Sequence, residues 1–195
     1  MASPTEGGAI ISLKGDSPMP YALPSKQFLL LAGLLALTRF DHFAPIPDAS
    51  LAVFVLGGLW VGGGFAFAAL FALAFGVDVL AVGLDEARAY CMTPAYWGLL
   101  PTYGLLWLAG RHLARQANPF AWTRLLAVST TAFSLAFVMS NLSWWLLSPR
   151  FDMPFVEFWQ AVARYYPAYL GGASLWLLLA TLLAQGMRAR RAAAV

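Results

Sequence analysis

One thiol, two imidazoles and a few charges define the chemistry open to this chain. Cys91 is the only cysteine in 195 residues, and it stands between Tyr90 and Met92, three residues before Pro94. A single cysteine closes no internal disulfide and builds no Cys-rich zinc site. Most lone cysteines are small buried apolar residues. A thiolate is also a soft ligand for a transition metal, and the flanking Tyr90 and Met92 can shape a pocket around one. One thiolate can serve as an axial ligand to a metal already held in a macrocycle, as in a haem or a corrin. Asp78 is the only acid within an expected membrane helix, where a carboxylate usually faces a cavity, a partner or an ion path; a plain position at the water interface is the equal alternative. Arg164 could pair with Asp78 or hold an anionic or amide group. No phosphate-binding GxxxxGK[ST] loop occurs, since the run Gly62-Gly63-Gly64 has no lysine after it, and neither GxSxG nor HExxH is present.

The elements that must position these residues are membrane helices. The chain is 61% hydrophobic and only 11% charged, with a mean hydropathy of +0.69. Ordinary soluble domains carry about 25% charged residues, so this composition excludes a soluble globular fold and a disordered chain alike. Charge-free stretches locate the spans: residues 49–77, 89–110, 125–149 and 165–187. The first of these is too long for one comfortable helix and is broken at Gly62-Gly63-Gly64. The expectation is an all-α polytopic bundle of six transmembrane helices, with a four-span reading that has re-entrant pieces as the alternative. They fall at about 25–40, 49–61, 65–83, 94–110 and 125–149, with a last one at 165–187 that begins early, near Pro154. Residues 1–25, rich in glycine and proline, read as a flexible cytoplasmic tail, residues 26–187 as the membrane domain, and residues 188–195 as a basic cytoplasmic tail.

Charge asymmetry sets an orientation. With the N-terminus inside, the inner segments hold Lys14, Lys26, Arg111, Arg115, Arg124, Arg188, Arg190 and Arg191, eight of the twelve basic residues. Arg39, Arg88, Arg150 and Arg164 fall outside, together with most of the acids. This N-in/C-in reading puts the two histidines, His42 and His112, on opposite faces, so they cannot ligate one haem together. His112 beside Arg111 and Arg115 reads as a solvated inner-loop residue, whereas His42 is a pocket candidate. The outer connections, about 39–49, 83–94 and 148–154, mix charges, prolines and aromatics. That mixture suits a large ligand with polar edges and a flat apolar face. The plainer reading of Trp144, Trp145, Phe155 and Trp159 is an interfacial aromatic belt.

Six short helices, a cytoplasmic N-terminus and an Ala32-xxx-Ala36 face on the first helix resemble the S-components of energy-coupling-factor (ECF) transporters. The stretch Gly76-Val77-Asp78 through Tyr90-Cys91-Met92-Thr93-Pro94-Ala95-Tyr96-Trp97 resembles the BtuM family, the cobalamin-specific S-components. The resemblance implies a multi-pass subunit of the bacterial cytoplasmic (inner) membrane that binds cobalamin (vitamin B12) from the outer face. It makes Cys91 the axial ligand to the cobalt of a base-off corrinoid and the group acting in any removal of the upper cyanide. Arg39, His42, Asp78, Tyr96 and Arg164 become contacts to the corrin amides or nucleotide loop. It implies docking of the Ala32/Ala36 face onto an ECF coupling subunit with its ATPases. Small-xxx-small faces also serve packing within a bundle, and Gly58-xxx-Gly62 repeats the theme. Two other readings stay open at this point: an S-component for a different vitamin, and a membrane thiol enzyme using Cys91.

Overall fold

A computed structural model describes residues 25–40, 47–84, 92–118, 120–148 and 153–193. The tail, His42, Tyr90 and Cys91 lie outside the described residues. Those described are all helical, with no strand.

Helix α1 (Lys26–Arg39) begins where Ser25 Oγ accepts the amide of Phe28 at 3.2 Å, a side-chain cap for an otherwise unpaired N–H. Leu31 and Leu35, one turn apart, form its buried face. Helix α2 (Ser50–Trp60) is started by Asp48, whose Oδ1 accepts from the Ser50 amide at 2.9 Å and from its hydroxyl at 2.7 Å. It is buried on nearly every side and packs against α1, α3, α4 and α7. A helix apolar all round belongs at the centre of a bundle, and α2 occupies that place.

The glycine run then turns the chain. Gly62 and Gly63 have φ of 67° and 78°, a region that residues with a Cβ rarely enter. Helix α3 (Gly64–Leu84) follows. A 3-10 segment (Pro94–Gly98), capped by Thr93, leads into α4 (Leu99–Ala114), and α5 (Trp122–Leu147) comes next. Helices α2 and α4 approach at backbone distance: a Cβ on Gly110 would run into the Val55 carbonyl, and one on Gly58 into the Trp107 carbonyl. The small residues of α2 are thus spent inside the bundle.

The expected single last helix is two. Helix α6 (Phe155–Ala163) ends at a turn through Arg164 and Tyr165, and α7 (Tyr166–Ala193) restarts beyond it. Pro167 has no amide hydrogen to return to Ala163, so a continuous helix would lose a bond there. In the first turn of α7 that hydrogen needs no partner. Helix α7 also carries the basic positions Arg188, Arg190 and Arg191 onward as helix.

Among the described residues three helices are long and apolar enough to cross a membrane: α3, α5, and Tyr166–Met187 of α7. The shorter α1, α2 and α4 have 14, 11 and 16 residues. Many large apolar side chains face outward from the bundle. Phe65 is 89% exposed and Leu30 70%, a surface that hydrocarbon suits and water does not.

Candidate functional site

The site grows from Arg39, the last residue of α1. Its Nε donates to Asp78 Oδ1 at 2.7 Å and its Nη2 to Asp78 Oδ2 at 2.6 Å, a bidentate pair. Asp78 lies on α3, six residues before that helix ends, and its Oδ2 also accepts the Tyr96 hydroxyl at 2.8 Å. The remaining guanidinium nitrogen, Nη1, donates to Ser50 Oγ at 2.8 Å and Tyr103 Oη at 2.9 Å, and lies 3.5 Å from Asp48 Oδ2. Side-chain exposures of 11% for Arg39 and 20% for Asp78 make this a largely enclosed ion pair. One arginine therefore ties together α1, the start of α2, α3 and α4, and through Asp78 the 3-10 segment.

Aromatic packing holds the partners in place. Tyr103 stacks on Phe54 of α2 at 4.2 Å between ring centroids, and Tyr96 meets Phe75 of α3 edge-on at 5.4 Å. A cavity of about 210 Å³ opens beside the network, between α2, α4, α5 and α7. Its polar wall is Asp48, Thr102, Tyr103, Ser140 and Tyr169. Asp48 is half-exposed, and its Oδ2 has only the 3.5 Å contact to Arg39 Nη1, so it is the more accessible of the two carboxylates here. Helix α7 is anchored at the same end, where Trp176 Nε1 donates to the Pro47 carbonyl at 2.7 Å.

No protein-family model and no curated protein matches this chain.

Arg39, Asp78 and Tyr96, singled out from the sequence, meet in one cluster. Met92 lies half-buried at the approach to the 3-10 segment. Arg164 does not join them, and the expected pairing of Arg164 with Asp78 is overturned because Arg39 already engages both carboxylate oxygens. Arg164 instead donates to Tyr165 Oη at 2.9 Å and lies 4.8 Å above the Tyr165 ring. It lines a second cavity of about 340 Å³ with Asn141, Trp144, Met153 and Phe158. Of the expected aromatic belt, Trp145 and Trp159 each meet Phe155 edge-on, at 5.2 and 6.0 Å. Among the described residues no three His, Cys, Asp or Glu side chains are grouped to hold a bare metal ion.

Ser50 and Tyr103 escaped the sequence reading. The spacing Asp48-Ala49-Ser50 was a usable signal, since an aspartate two residues ahead commonly accepts from a helix start. Nothing in the sequence marks Tyr103, which is 64 residues from Arg39.

Proposed function

We propose that this chain is a membrane-embedded substrate-binding subunit for cobalamin or a related corrinoid, of the ECF S-component type and similar to the BtuM family. In this reading six helices cross the bacterial inner membrane with both termini inside. The corrinoid sits at the outer end, and the Cys91 thiolate is the axial ligand to its cobalt. The observation that carries the reading is the meeting of Arg39, Asp78 and Tyr96 at one end of the bundle. Asp78 and Tyr96 flank the stretch containing Cys91 on its two sides, and their hydrogen bond joins α3 to the 3-10 segment. Polar groups and aromatic rings gather at this end, the combination a flat, amide-rimmed ligand needs. The cavity beside Asp48 is far smaller than a corrinoid. It takes one amide side chain, and in this reading His42, Tyr90, Met92 and Arg164 are further contacts to the corrinoid.

Thiolate ligation displaces the lower nitrogen ligand and, by donation to cobalt, weakens the bond to an upper cyanide, which leaves as the anion. Ligation itself favours the deprotonated thiol. Short α2 fits a six-span bundle because it is surrounded by other helices and need not meet lipid along its length. Ala32 and Ala36 of α1 are the docking face for a coupling subunit with its ATPases. On α1, Gly33 faces open space and leaves room for a close helix approach.

The deciding experiment is the absorption spectrum of the wild-type protein and of Cys91→Ala, each purified with cobalamin present. The expected result is a bound corrinoid whose spectrum shows sulfur ligation in the wild type and loses it in the variant. An unchanged spectrum and affinity in Cys91→Ala would end the cobalt-ligand reading. Tight binding of a metal-free vitamin instead would select an S-component of other specificity.

A further inference from the structure

The two ends of the bundle differ in charge. The described residues include three carboxylates, Asp48, Asp78 and Glu157. All three lie at the end holding the Arg39 network: Asp48 before α2 begins, Asp78 in the last two turns of α3, and Glu157 on α6 beyond the end of α5. At the opposite end α1 and α5 begin, and α2, α4 and α7 finish. That end holds Lys26, Arg111, Arg115, Arg124 and Arg190 with no described carboxylate among them.

Three of these cations are gathered rather than scattered. Arg111 and Arg115 are one turn apart at the end of α4, on one face. Arg111 is half-buried and lies over the glycine turn, where a Cβ on Gly62 would collide with its Nη1. Arg124, on the first turn of α5, donates to Gln116 Oε1 at 3.1 Å, and Gln116 directly follows Arg115. None of the three has a carboxylate within ion-pair distance among the described residues. Large apolar side chains stand at the same end: Phe65 at the start of α3 is 89% exposed and Trp122 at the start of α5 is 38% exposed. Both α3 and α5 are long and apolar enough to cross a membrane, and a crossing by either brings its first turn to headgroup depth. An exposed tryptophan is at home in that layer.

We propose that Arg111, Arg115 and Arg124 form a seat for the phosphodiester of an anionic phospholipid, with Phe65 and Trp122 against its acyl chains. Uncompensated guanidinium groups at headgroup depth match an anionic lipid in charge, and basic pockets between membrane helices are suited to such headgroups. Arginine adds forked donors that fit two phosphate oxygens at once. The apolar side chains at this end select a lipid over a free phosphate. The proposal is independent of the corrinoid reading.

The test uses the full chain in neutral detergent micelles, titrated with phosphatidylglycerol or phosphatidylcholine and read by native mass spectrometry and thermal unfolding. Phosphatidylglycerol is expected to bind the wild type more tightly than phosphatidylcholine and to raise its melting temperature. The triple variant R111Q/R115Q/R124Q is expected to weaken phosphatidylglycerol binding by roughly fivefold per arginine removed. The matching triple lysine variant, which keeps the charge, is expected to retain most of the binding. K26Q/R190Q, on the same face outside the cluster, is expected to bind as the wild type does. Equal loss in K26Q/R190Q would show a diffuse charge effect and overturn the seat. Equal loss in the lysine variant would overturn the charge argument. Displacement of the lipid by millimolar inorganic phosphate would mean a free-anion site, and equal affinity for phosphatidylcholine would leave no anionic selectivity; either result rejects the proposal.

Discussion

Asp78 receives three hydrogen bonds, two from Arg39 and one from Tyr96. Asp78→Asn cancels the charge opposite a largely enclosed guanidinium and turns an amide donor toward other donors. The expected loss of stability is about 2–4 kcal/mol, short of a fully buried pair because water still reaches the edge. Tyr96→Phe removes a single hydrogen bond to a carboxylate and should cost about 1–3 kcal/mol. Arg164→Gln, whose partner is its exposed neighbour Tyr165, should stay within about 0.5 kcal/mol of wild type. Denaturant unfolding in micelles measures all three, and a wild-type midpoint for Asp78→Asn would show that the pair does not hold the helix ends together. The residue types of this cluster were legible in the sequence, because charged groups at the ends of apolar runs attract notice. The pairing was not. Sequence reasoning put forward only Arg164 as a partner for Asp78; the packing of α1 beside α3 brings Arg39 there instead, and no local spacing encodes that contact.

Along α4 two glycines make opposite predictions. Gly104 has open space where a Cβ would sit, while Gly110 faces the Val55 carbonyl of α2. Gly104→Ala should gain up to about 1 kcal/mol from helix propensity. Gly110→Ala must push two backbones apart and should lose about 3 kcal/mol. Thermal unfolding of the pair separates packing from propensity, and equal shifts would contradict the close α2–α4 contact. Helix starts and stops were partly readable: a first start near residue 25, the glycine run at 62–64 as a break, and Pro94 as the entry to the fourth helical stretch. The break at Arg164–Tyr165 was missed although Arg164, Tyr165, Tyr166 and Pro167 interrupt the apolar run there, because the amphipathic stretch from Pro154 was read as an early start of the same helix.

At the scale of the whole molecule, the native single thiol offers a direct test of orientation. With both termini inside and the stretch containing Cys91 outside, a membrane-impermeant maleimide should label right-side-out vesicles and spare inverted ones. The opposite pattern would reverse the bundle. Cysteine-free background is not needed, since Cys91 is the only thiol in the chain. The ion pair described above also bears on how such a chain enters a bilayer. Charged residues in a membrane helix oppose insertion by about 2.5–3.5 kcal/mol each at mid-depth and by less near its ends. Arg39 leaves the ribosome 39 residues before Asp78. When α3 emerges, the counter-charge for its carboxylate already waits on α1, and Ser50 is at hand as a further acceptor. The sequence order therefore allows these two charges to neutralise each other while α4 to α7 are still being synthesised.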